Sequence, residues 1–299
     1  MPDGFHIDHS RGLNGTMAAY AEQVLICTGK EDWTSKIEEE NSGDNLAADI
    51  KELVGRGGIY SDPYHHIAVA NSSFPSSVPA RKEVQTTSAY LLPSFKYVPF
   101  LPRVSFDSVQ ALVKGYLLPT KLHPMHDGLS PIHRDRLLRS EEQQQFLYGV
   151  QDVKEVLVLI CGHGGRDVRC GITGPILRDQ FEACLPSKGL RILKDPVEIA
   201  LREERVALPS SGSEEWTARV ALISHVGGHK FAGNVIIYIP PGIKTTDGQK
   251  HALEGCGIWY GRVEPKHVEG IVQETVLGGK VIEDLFRGGI KQGGEILRM

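Results

Sequence analysis

Two short stretches hold side chains that could act together on one chemistry. CGHGGRDVRC, residues 161–170, sets Cys161 and Cys170 at its ends, with three glycines, His163, two arginines and an aspartate between them. SHVGGHKFAGN, residues 224–234, spaces His225 and His229 four apart around Gly227 and Gly228. Each stretch follows an apolar run and so reads as a loop at a strand end. Glycine lets such a loop turn tightly enough for two imidazoles to converge on one point without a helix. Two thiols and two imidazoles in one half of the chain form a donor set for a metal.

Two metals compete for that set. Tetrahedral zinc takes two cysteines and two histidines, but its structural sites usually place the cysteines two to four residues apart, and here eight residues intervene. An iron–sulfur cluster is wider than one ion and draws its ligands from longer loops, with histidine able to replace two cysteines on one iron. The glycines suit it as well, because their amides can donate to sulfide. His163, two residues from Cys161, is a rival ligand, a donor to a ligand, or an exposed loop residue. A lone histidine beside a strand is more often an ordinary core or surface residue, so it is the pairing of the two loops that carries the metal reading. Arg166, Asp167, Arg169 and Lys230 either orient these loops, shape a partner surface, or form solvated ion pairs. Cys27, Cys184 and Cys256 read as small buried hydrophobes.

Other chemistries lack their parts. GHGG resembles an esterase oxyanion loop, but no G-x-S-x-G nucleophile elbow occurs. A G-x-x-x-x-G-K-[ST] phosphate loop is likewise missing from the sequence. GCGIWYG, residues 255–261, lies in a strand pattern without the helix that a dinucleotide site needs.

The elements that must position these loops follow from periodicity. Strands are expected over 20–27, 65–71, 153–161, 217–224, 234–240 and 257–263, and helices over 45–53, 106–118, 174–185, 195–205 and 267–279. Pro175 suits a first helical position. Residues 72–102, rich in proline and serine, read as irregular edge strands and loops. Residues 133–150 read as a connection, and PSSGSE, 209–214, as a flexible loop. VLICTG at 24–29 echoes VLICGHG at 158–164, and HHIAVANSS echoes RVALISHVGG. These echoes imply an internal duplication in which only the second copy keeps the chemistry. The expected organisation is α/β: two thioredoxin-like domains, residues 1–148 degenerate and 149–299 carrying the metal site.

Bulk properties narrow the class. A chain of 299 residues supports two domains of ordinary size. A net charge of −4 gives no support to a nucleic-acid partner. No apolar run approaches the roughly 18 residues that span a bilayer. Five scattered cysteines fit a reducing compartment rather than a disulfide framework. The first twenty residues carry neither a secretory core nor the arginine-rich, acid-poor pattern of a mitochondrial presequence.

CGHGGRDVRCGITGP, ALISHVGGHKFAGNVIIY, WYGRVEP and GKVIEDLFRGGI, in that order, resemble the sucrase/ferredoxin-like family: thioredoxin-like 2Fe-2S proteins with bis-histidinyl ligation. Within it, the RGGI ending is similar to the fungal branch named for altered inheritance of mitochondria. The resemblance implies a C-terminal thioredoxin-like ferredoxin in which Cys161 and Cys170 bind one iron of a 2Fe-2S cluster, and His225 and His229 the other. It also implies a mitochondrial location, with the cytosol as the alternative, since cytosolic members commonly end in tryptophan and this chain ends Leu297-Arg298-Met299. Four protein ligands leave no vacant position for a substrate, so the expected work is one-electron transfer or redox regulation with a redox protein as donor and another as acceptor. Imidazoles that reach solvent would couple reduction to protonation. Two other readings stay open: a thiol oxidoreductase working through Cys161 and Cys170, and a zinc-stabilised interaction module.

Overall fold

The computed structural model describes residues 6–40, 45–79, 81, 83–199, 215–245 and 248–299. Among these residues the protein is a mixed α/β fold whose twelve strands share one sheet. The first half contributes β1 (Glu22–Cys27), β2 (Ile67–Ser72), β3 (Thr86–Leu92), β4 (Lys96–Pro102) and the short β5 (Gln151–Asp152). The second contributes β6 (Val156–Cys161), β7 (Arg191–Ile192), β8 (Thr217–Ile223), β9 (Val235–Ile239), β10 (Cys256–Tyr260), β11 (Phe286–Lys291) and β12 (Ile296–Leu297). The path across the sheet is β12-β11-β10-β9-β6-β8-β2-β1-β3-β4-β5, with β7 paired to β8.

Both halves use one plan. β1 pairs in parallel with β2 and antiparallel with β3, and β4 follows β3. β6 pairs in parallel with β8 and antiparallel with β9, and β10 follows β9. The halves meet where β2 and β8 pair at Ser72 and Ile223. Side chains extend this short joint: Ser224 Oγ accepts from Asn71 N–H (2.9 Å), and Ser73 Oγ from Leu222 N–H (3.0 Å).

Alternation along the central strands sets the layers. Val24 and Ile26 of β1 face a core built with α1 (Leu46–Val54) and α2 (Asp107–Leu112). Val156, Val158 and Ile160 of β6 face one built with α4 (Val168–Ser187) and α5 (Pro265–Gly270), α3 (Pro131–Leu137) lying in the connection between halves. The opposite faces, with Leu25 and Tyr90 from one half and Leu157, Leu159 and Tyr238 from the other, share a third core. The identical VLIC ends of β1 and β6 therefore occupy matching places, Cys27 and Cys161 closing each strand.

Several expectations are revised. Residues 86–102 form a hairpin interrupted by one register shift, and β3 is bonded on both sides rather than at an edge. Pro99 is accommodated at a register shift, where Ser88 Oγ donates to its carbonyl (2.7 Å). The helical stretches 106–118 and 267–279 are α-helical only at first and continue as π-helical turns, Val113–Leu117 and Ile271–Leu277. Residues 195–199 are not helical, while 200–205 and the loop expected at 209–214 lie outside the described residues.

Candidate metal centre

Cys161 is the last residue of β6, and its N–H donates to Asn234 O (2.9 Å) just before β9. Cys170 was expected in a loop but lies in the first turn of α4, whose N-cap Asp167 accepts from Arg169 N–H (3.0 Å). Two close approaches make this possible. A Cβ on Gly171 would meet Gly164 Cα at 2.6 Å, and one on Gly174 would meet Gly162 Cα at 2.6 Å. The glycines thus let the helix press onto the loop, bringing two thiols together that are each 1% exposed. They titrate as a pair. The adjoining Cys170 thiol, then His225 and the His163 amide, hold the Cys161 thiol well below its usual range, against the cost of burial. The hydrogen bond with Cys161, then burial and the Cys161 charge, push Cys170 far up in turn.

His225 follows β8, and His229 opens the 3-10 turn His229–Phe231. Between them Gly227 (φ 88°) and Gly228 (φ 77°) are left-handed, which reverses the chain and brings the imidazole centroids to 5.2 Å. Both residues are half-buried, yet the Nδ1 atom of each ring is buried with no hydrogen-bond partner. Two such atoms side by side are costly unless something outside the chain occupies them. Cys170, Cys161, His225 and His229 are therefore successive neighbours, and their thiols and imidazoles are the side chains here that could hold a metal or cofactor. Among the described residues no three or more His, Cys, Asp or Glu side chains are arranged to hold a single metal ion.

His163 lies outside this donor set. It is 1% exposed, its Nδ1 accepts from His225 N–H (2.9 Å), and its Nε2 faces the carbonyls of Trp33 (3.1 Å) and Thr34 (2.9 Å). Asp32 accepts from Gly165 N–H (3.1 Å), and Arg166 donates to Ser35 Oγ (3.3 Å), so residues 32–35 of the first half clasp the cysteine loop. Asp167 and Arg169 form an ion pair at 2.8 Å, and Lys230 lies 3.3 Å from Asp8. These charged residues orient the loops. Clefts of about 710 and 310 Å³ both end on His225, the larger walled by Tyr20, Val69, Val226 and Trp259.

Arg287 escaped the sequence reading, although RGGI contained it. It is 1% exposed, and its guanidinium donates to Gly227 O (3.2 Å), Asn234 Oδ1 (2.8 Å), Thr16 O (2.9 Å) and Thr16 Oγ1 (3.1 Å). A single arginine after an apolar pair gives no periodic signal of burial, so only its place in the RGGI segment that carries the family resemblance could have flagged it.

The comparisons with known proteins bear on the whole chain. The sucrase/ferredoxin-like family model matches residues 13–288. Altered inheritance of mitochondria protein 32 of Debaryomyces hansenii is 30% identical over 294 residues, covering 96% of this chain and 89% of that protein. The protein of that name from Meyerozyma guilliermondii is 29% identical over 294 residues, covering 96% and 87%. The one from Clavispora lusitaniae is 34% identical over 181 residues, covering 59% and 50%. No solved structure matches the chain significantly. A match that runs unbroken through both halves, and so through both loops that meet at the centre, places the chain in the sucrase/ferredoxin-like family.

Proposed function

We propose that this protein holds a 2Fe-2S cluster on Cys161, Cys170, His225 and His229 and serves electron transfer or redox regulation. The observation that carries the reading is the pair of buried, unpartnered Nδ1 atoms beside two buried thiols, of which Cys161 is held well below its usual range by its neighbours. Such a cluster supplies one-electron chemistry and asks only two protein ligands of each iron. That division suits two thiols and two imidazoles supplied by two separate loops. Thiol exchange is disfavoured by access, since a substrate thiol cannot reach sulfurs at 1% exposure.

The residues act by position and charge. Cys161 and Cys170 bring thiolate to a buried place, and α4 directs its amino-terminal end toward them. Imidazoles in place of two thiolates leave less negative charge, which favours the reduced state and a potential above the roughly −400 mV of plant-type ferredoxins. Were the buried Nδ1 atoms to hold the cluster, Nε2 would be the ring atom left to exchange a proton, and a potential that falls as pH rises would be the matching sign. The half-buried histidines, not the buried cysteines, form the edge that a redox partner can approach. In this reading each half is thioredoxin-like, which the repeated strand order supports, and the second half alone carries the cluster. The names of the relatives support a mitochondrial setting.

The test is direct. Protein purified anaerobically should be red-brown and contain iron and sulfide in about equal amounts, without stoichiometric zinc. A colourless protein with zinc would favour the structural module, and one with no metal would leave the thiol chemistry.

A further inference from the structure

Arg287 is a buried cation with nothing anionic among its hydrogen-bond acceptors. Those acceptors are two main-chain carbonyls, one amide oxygen and one hydroxyl. Buried charges are ordinarily paired, because neutral acceptors do not recover the lost hydration. The aromatic faces of Phe231 (5.4 Å) and Trp259 (5.8 Å) offset part of that cost. One residue, Asn234, separates this guanidinium from the cysteine strand: its Oδ1 accepts from Arg287 and its main-chain carbonyl accepts from Cys161 N–H. Arginine therefore occupies a place where a neutral side chain would be easier to bury unless the neighbouring site itself carries negative charge.

The hydrogen bonds show how closely Arg287 is built into the centre. Its Nη1 grips Gly227 O inside the turn that joins the two histidines. The same nitrogen grips Asn234 Oδ1, while Asn234 Nδ2 donates to Gly228 O (3.0 Å) and Asn234 O accepts from Cys161 N–H (2.9 Å). One guanidinium thus ties the histidine turn to the end of the cysteine strand. The contact leaves no room for a side chain at residue 228, where a Cβ would come within 2.4 Å of Nη2. Thr16, from the other end of the chain, completes the cage around it.

We infer that Arg287 is a positioning residue of the metal centre whose positive charge offsets the thiolates and raises the reduction potential. The inference rests on the cluster reading above. Reduction adds negative charge beside a fixed positive one, so removing that charge disfavours the reduced form. A clamp without an electrostatic role would act on cluster retention but not on potential.

Three variants separate these roles: Arg287→Gln, which keeps donors but loses charge; Arg287→Lys, which keeps charge but loses the fork; and Asn234→Asp, which sets a carboxylate against the guanidinium. Iron and sulfide content and the potential from a dye-equilibrated spectroscopic titration are measured for each beside wild type. Arg287→Gln and Asn234→Asp should lower the reduction equilibrium constant at least tenfold, which is about 59 mV for one electron. Arg287→Lys should stay within threefold of wild type. If Arg287→Gln does not fold, Asn234→Asp and Arg287→Lys decide the matter with Arg287 or its charge retained. An unshifted potential in Asn234→Asp or Arg287→Gln, or a shift in Arg287→Lys as large as in Arg287→Gln, overturns the charge role. Wild-type protein without iron and sulfide overturns both this inference and the cluster reading, whereas loaded wild type with unshifted variants overturns this one alone.

Discussion

Cys27 and Cys161 end the same four-residue strand motif, yet their surroundings separate them. Among the described residues no thiol or imidazole acts on Cys27, and burial pushes its thiol up to about 12. Cys161 has Cys170 and His225 beside it, which draw its thiol down. Replacing Cys161 or Cys170 by serine should therefore abolish iron and sulfide binding, while Cys27→Ser should retain wild-type content, as measured by metal and sulfide analysis. Cys161, Cys170, His225 and His229 stood out in the sequence because their types and glycine-rich surroundings mark a candidate donor set, and the structure places the two loops that carry them side by side. His163 was legible only as a candidate, since nothing local says that its ring spans two halves of the chain. Its Nδ1 accepts from the His225 amide while its Nε2 reaches Trp33 and Thr34, so one ring fastens the backbone of the histidine loop to residues some 130 positions away. His163→Ala leaves those groups unpaired and should destabilise the fold by about 1–3 kcal/mol in denaturant unfolding. Its cluster content, if assembled at low temperature, should remain that of wild type.

Among the elements, the strands were the most legible and the helix ends the least. VLIC, TARVALI and VIIYI are apolar enough to fix buried strands whatever their neighbours. The start of α4 was hidden because Gly171 and Gly174 are poor helix formers, and their reason for being there, contact with Gly164 and Gly162, is tertiary. The π-helical ends of two helices keep an apolar face, so periodicity does not distinguish them from α-helix. β1 opens with a different kind of hidden feature, the buried carboxyl of Glu22, which accepts from Ser94 N–H (3.2 Å) and Ser94 Oγ (2.6 Å). Burial outweighs these bonds and raises its pKa from 4.5 to about 7. Because the folded state holds this proton more tightly than the unfolded chain, the contribution to stability is full below about pH 4.5 and is lost as pH rises through about 7. A shift of that size corresponds to about 3 kcal/mol. Glu22→Gln should match wild type near pH 4 and exceed it by up to about 3 kcal/mol at pH 8. Equal stability differences at both pH values in urea titrations would show that the carboxyl proton plays no part.

At the scale of the whole molecule, the repeated strand order invites a division near residue 148, but the packing crosses that line repeatedly. The third core takes Leu25, Tyr90 and Tyr97 from one side and Leu157, Ile236, Tyr238 and Trp259 from the other. Inside it Tyr20 and Tyr238 share a hydroxyl hydrogen bond, Trp259 Nε1 donates to Tyr20 (3.1 Å), and Tyr238 donates to Gln23 (2.9 Å). Residues near the start of the chain also reach the second half, with Thr16 on Arg287 and Asp8 N–H donating to Lys230 O (2.9 Å). None of these long-range pairings is visible to periodicity, which reports only which face of an element is apolar. The shared core makes a thermodynamic demand: neither half can expose that face without losing apolar burial worth about 1.5–3 kcal/mol for each large side chain. The intact protein should therefore melt in a single calorimetric transition, with the first and second halves losing structure together. Tyr238→Phe, which removes two cross-half hydrogen bonds and leaves the packing shape unchanged, should lower that one transition by about 1–3 kcal/mol and keep it single. Two separated transitions in wild type, with only the later one shifted by Tyr238→Phe, would instead show two autonomous domains, and the first half would lose its role in holding the cysteine loop and the histidine turn in place.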